Sequence, residues 1–139
     1  MTRTNLFNDL INAINELSNL TSIINGTKIT PKPSRKYLVN DKKSLKATIN
    51  YFIKNRIEFE QFNSSLPKVF TNHLSNELNH ISNLSKTAKT MNFTLNFIKK
   101  IFDLGKVVFE SLKEFAPKEL KAIFEILKES CESKSILIS

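Results

Sequence analysis

Apolar side chains recur every three or four positions along most of this 139-residue chain, and only two glycines and four prolines interrupt them. That spacing gathers the apolar groups on one side of an α-helix. Glycine and proline are the strongest helix breakers, and β-rich folds need them at their many turns. The chain is therefore expected to be all-α: a compact bundle of about five helices in a single domain. A chain of this length can bury a core without staples, removing roughly 65–70% of its unfolded surface from water.

The stripes place the helices. The first is expected from Thr4 to Asn25, with Leu6, Leu10, Ala13, Ile14, Leu17, Leu20 and Ile24 inward, Thr4 or Asn5 as N-cap, and Gly26 as its stop. The second starts after Asp41 and reaches about Phe62, with Leu45, Ile49, Phe52, Ile53, Ile57 and Phe59 on one side. Lys43, Asn50, Lys54, Asn55 and Glu58 fall opposite, and Lys46 lies at the edge of the apolar arc. Arg56 sits inside that arc with Glu60 one turn on, which predicts an i,i+4 pair. The third helix begins near Ser65, with Pro67 in its first turn, and turns Leu66, Val69, Phe70, Leu74, Leu78, Ile81 and Leu84 inward. The polar stretch 85–90 ends or weakens it. The fourth covers about 91–115, with Phe97, Ile98, Ile101, Phe102, Val108, Leu112 and Phe115. Ala116-Pro117 breaks the chain, and a fifth helix runs to about Glu129 with Leu120, Ile123, Phe124 and Leu127 inward. Residues 131–139 read as a short tail that docks or mediates contacts.

Residues 26–41 (GTKITPKPSRKYLVND) read as a long basic loop between the first two helices, because Pro31 and Pro33 exclude a continuous helix. The loop belongs to a marked charge asymmetry. The net charge is +8; residues 1–57 carry ten Lys/Arg against three Asp/Glu, and residues 58–139 carry eleven against ten. Such an imbalance points to a polyanionic partner: nucleic acid, anionic lipid or an acidic protein face. Lys28, Lys32, Arg35, Lys36, Lys42, Lys43 and Lys46 fall within nineteen residues, and Lys54 extends the set along the second helix. A helix N-terminus at the same place favours anions through its free N–H groups and its dipole. Tyr37 is the one aromatic inside the segment that can stack on a base, or else it anchors the loop. This composition suits phosphate-backbone contact better than base readout.

Catalytic chemistry has little to stand on. His73 and His80 share a helix face with Glu77 between them, but the spacing is not a zincin motif and the ligand count falls short of a zinc site. Neither a metal nor a cofactor is expected. Residues 70–82 (FTNHLSNELNHIS) resemble the phosphoacceptor box of sensor histidine kinases at Phe70, Ser75, Glu77 and Leu78. The phosphoacceptor position is Asn76, however, and no Gly-rich nucleotide segment follows, so no activity is carried over. Cys131 lies between Glu129 and Glu132, a setting that disfavours the thiolate. Two well-separated glycines exclude the phosphate-cradling loops. A non-enzymatic protein is expected.

The lone cysteine excludes an intramolecular disulfide and fits a reducing, cytoplasmic setting. No apolar run of about 18 residues exists, so no transmembrane segment is expected. Abundant Asn, Lys, Ile and Phe suggest a low-GC microbe or mobile element as the source. Three function classes follow: a polyanion (RNA or DNA backbone) binder using the loop and second helix; a protein-interaction module such as an inhibitor, immunity or adaptor protein with an acidic partner; and, third, a membrane-active bundle using the Phe-rich helices. Residues 8–20 and 72–84 echo one another through Asn8, Asn12, Asn15 and Asn19 against Asn72, Asn76, Asn79 and Asn83, which either marks a duplicated hairpin or reflects Asn bias on two amphipathic helices. The oligomeric state stays open at this level, since these ridges and the apolar tail also suit a dimer.

Overall fold

The computed structural model describes residues 5–25, 45–90 and 94–138. Within them lie six helices and no strand: α1 (Leu6–Asn25), α2 (residues 45–54), α3 (Arg56–Ser65), α4 (Lys68–Thr90), α5 (Leu95–Phe115) and α6 (Lys118–Ile138). The fold is all-α, as the periodicity requires. Local chemistry sets the helix starts. Asn5 caps α1, its side-chain oxygen accepting from the Asn8 N–H at 3.0 Å, and Thr94 caps α5 by accepting from the Phe97 N–H at 3.1 Å. Pro67 and Pro117 sit at the starts of α4 and α6, where their carbonyls accept from the N–H groups of Thr71 at 3.0 Å and Lys121 at 2.8 Å. A proline costs nothing there, because the N–H it lacks would have no partner in the helix.

Three boundaries differ from the sequence expectation. The single helix expected through Phe62 is two, divided at Asn55, which adopts φ −112° and ψ 34°. Both the backbone N–H and the side-chain amide of Asn55 donate to the Tyr51 carbonyl, at 3.0 and 2.9 Å. This is the competition between Asn and the helix ladder that makes Asn a poor helix-interior residue. Of the two readings of the polar stretch 85–90, the one in which the helix continues holds, α4 running to Thr90, but the next helix starts at Leu95 rather than near 91. The expected tail is helical to Ile138, and Cys131, Lys134 and Ser135 are buried on it. Leu127, Cys131, Lys134 and Ile138 continue the 4-3-4 stripe, but a lysine inside the stripe conceals it from an apolar pattern search. The basic loop 26–41, with Pro31, Pro33 and the Asp41 cap, and also Thr4 and Gly26, lie outside the described residues.

The long helices form an up–up–down–up arrangement. Ser75 of α4 donates to the Asp9 carboxylate of α1, and Lys89 pairs with Glu16. Residue numbers rise together in both contacts, so α1 and α4 run parallel. Small residues on α4 (Ser75, Ser82, Ser85 and Ala88) are buried along this half of the bundle. The Phe70 and Phe115 rings meet at 4.8 Å, bringing the start of α4 to the end of α5, so those two run antiparallel. Between α5 and α6 the partners step in opposite directions: Lys113 with Glu125, Glu110 with Lys128, Lys106 with Glu132, and Asp103 with Ser135. That ladder fixes the register of an antiparallel hairpin.

A parallel α1–α4 pair needs a crossover, and α2–α3 belongs to it. Phe52, Phe59 and Phe62 cap one end of the bundle, touching Phe7 of α1 and Phe124 of α6 with ring centroids 5.4–6.1 Å apart. Fully burying an aromatic ring contributes roughly 1.5–3 kcal/mol, so this cluster holds the crossover in place. The core otherwise follows the stripes, with Phe109 as a buried member absent from the sequence-derived set. Four expected core residues are on the outside instead: Ile53, Ile57, Val69 and Phe115.

Candidate polyanion-binding surface

Lys46 and Lys54 are the two candidate binding residues within the described structure, and both are exposed on α2. Eight residues separate them, or about 12 Å along a helix, near the spacing of two or three phosphates on one strand. Neither makes an ion pair among the described residues. The burial of Leu45, Thr48 and Phe52 explains their orientation: those side chains turn one narrow face of α2 inward, and the lysines occupy the remainder. Lys28, Lys32, Arg35, Lys36, Tyr37, Lys42 and Lys43 lie outside the described residues.

Elsewhere on the described bundle, positive and negative charges nearly balance, and several pair directly. Lys113 contacts Glu125 at 2.6 Å and Glu110 at 3.8 Å, and Lys128 contacts Glu110 at 3.2 Å and Glu125 at 3.9 Å, so four charges alternate across the hairpin. Lys106 meets Glu132 at 3.6 Å, and Lys99 meets Asp103 at 3.1 Å. The hydrogen bond from Lys113, helped by both lysine charges, holds the Glu125 carboxyl below its usual range, and the same contact raises Lys113. Burial pushes Asp103 upward, but hydrogen bonds from Ser135 and Lys99 and the nearby lysine charges outweigh it, and the net shift is downward. Across the described residues, fourteen Lys/Arg stand against twelve Asp/Glu, a net of +2. Six of the eight excess charges therefore belong to the rest of the chain, and five of those six to residues 28–43, where six Lys/Arg face Asp41 alone.

The expected Arg56–Glu60 pair does not form. The Arg56 guanidinium instead lies over the Phe7 ring, 4.5 Å from its centroid. The break at Asn55 turns this side chain toward α1, where an aromatic face is offered. His73 and His80 are both exposed on α4, and no group of three metal-ligating side chains occurs among the described residues. The Asn ridges face outward: Asn8, Asn12, Asn15, Asn72, Asn76, Asn79 and Asn83 are exposed, and Asn19 is half-buried.

A cleft of about 630 Å³ opens where α3 meets the α5–α6 turn. Phe62, Ala116, Pro117 and Leu120 form its apolar part, and Glu58, Lys118 and Glu119 are at its edge. Burial, with the charges of Glu58 and Glu119, raises the phenol of nearby Tyr51. The described lining brings together no nucleophile–base pair. No described helix is long and apolar enough to cross a membrane. No protein-family model, curated protein or solved structure matches the chain.

Proposed function

We propose that this chain is a small non-enzymatic binding protein that contacts a polyanion, the backbone of RNA or DNA, through residues 28–46 and the exposed lysines of α2. The observation that carries the reading is the charge distribution. The described helices sum to only +2, with Lys99, Lys106, Lys113 and Lys128 of α5–α6 engaged by carboxylates, so the excess is concentrated in one segment beside Lys46. Spread over the whole surface, a +8 charge would serve solubility alone; concentrated, it makes a local field that attracts phosphates.

Phosphate neutralisation releases counterions, so affinity must fall steeply with salt. The test is an electrophoretic shift with short RNA and DNA duplexes and single strands across a salt series. The triple variant Lys42→Glu, Lys43→Glu, Lys46→Glu should lose binding and flatten the salt slope. No shift by the unmodified protein at about 50 mM salt refutes the reading, because low salt favours phosphate contacts most. Binding unaffected by the triple change refutes the site.

A second reading is favoured by one observation: Ile53 and Ile57 project from the same crossover, 56% and 77% exposed. Exposed aliphatic groups beside unpaired lysines suit an interaction module with an acidic protein partner. Pull-down of an acidic protein that competes with nucleic acid would favour it over the first.

A further inference from the structure

We draw no further inference here: the strongest candidate, the cleft of about 630 Å³ between α3 and the α5–α6 turn, carries Glu58 and Glu119 beside Lys118 on its exposed edge, so its charge selects no ligand, and nothing in the structure shows what covers its apolar floor.

Discussion

The tightest helix contact is the place where a one-carbon change gives the clearest test of the packing. Gly105 lies buried on α5 where α6 crosses it, and a methyl group built there would approach the Cys131 Sγ to 2.9 Å. Ordinary contact between such atoms needs about 3.5–4.0 Å, so the methyl is too close by roughly 0.6–1 Å. The other neighbours, Leu17 Cδ1 at 3.6 Å and Phe109 Cε2 at 3.7 Å, are in normal contact and close off sideways escape. Two effects oppose one another in Gly105→Ala. Replacing a mid-helix glycine gains about 1 kcal/mol of helix propensity. Overpacking a closed core costs about 1–3 kcal/mol. The clash wins, with a net loss of about 1 kcal/mol and a Tm lowered by about 3 °C for a chain of this size. Removing the sulfur should reverse the sign: in a Cys131→Ala background, Gly105→Ala gains about 1 kcal/mol, a coupling of about 2 kcal/mol between neighbours. Urea unfolding of the four proteins, followed by helical circular dichroism at constant m-value, measures the cycle. If Gly105→Ala stabilises the protein with Cys131 in place, or if the two changes are additive, the close approach of α5 to α6 described here is wrong.

Other perturbations probe other parts. Phe59→Ala removes the ring at the centre of the aromatic cap and should cost about 3–5 kcal/mol by urea unfolding, whereas Ile57→Ala, two residues away on the exposed side of the helix, should change stability by less than about 0.5 kcal/mol. Glu16→Gln weakens the partly buried contact to Lys89 that links α1 to α4, and a loss of about 1 kcal/mol is expected in the same assay. Asp103 and Glu125 have folded-state pKa values below their ordinary ones, so the stabilisation they contribute is present above the ordinary carboxylate range and is lost as pH falls through the folded values. Stability should thus decline on acidification below about pH 4–5, and Ser135→Ala should raise the Asp103 titration midpoint read by NMR.

Local chemistry was readable residue by residue. The stripe Leu6, Leu10, Ala13, Ile14, Leu17, Leu20 is fully buried on α1, and Asn5 and Pro117 mark helix starts where their side-chain chemistry says they should. The end of α6 was not readable, because Lys134 occupies a position in the stripe that apolar pattern alone assigns to a hydrophobe. The break at Asn55 was missed for a related reason. Its apolar neighbours continue a helical pattern, and the competing side-chain amide bond is visible only once the geometry is known. For the candidate site, exposure of Lys46 and Lys54 agrees with the helical wheel, but the placement of Arg56 over Phe7 depends on a contact between elements some fifty residues apart.

By itself, the sequence determined that this chain is helical, where α1, α4 and α6 begin, and that its surplus charge lies at residues 28–43 beside Lys46. Those properties depend on side chains within a few positions of one another. Tertiary structure alone decided how wide a face each helix buries. On α1, between α4 and the rest of the bundle, the arc from Leu6 to Leu20 is covered. On α2–α3, laid across one end, only the line Leu45, Thr48, Phe52, Phe59 and Phe62 is fully buried, with Ile49 and Tyr51 half-buried beside it, and Ile53 and Ile57, equally apolar and on the same side of the wheel, stay in water. A helical wheel counts the apolar groups a helix offers; the number of neighbouring helices sets how many can be taken out of solvent.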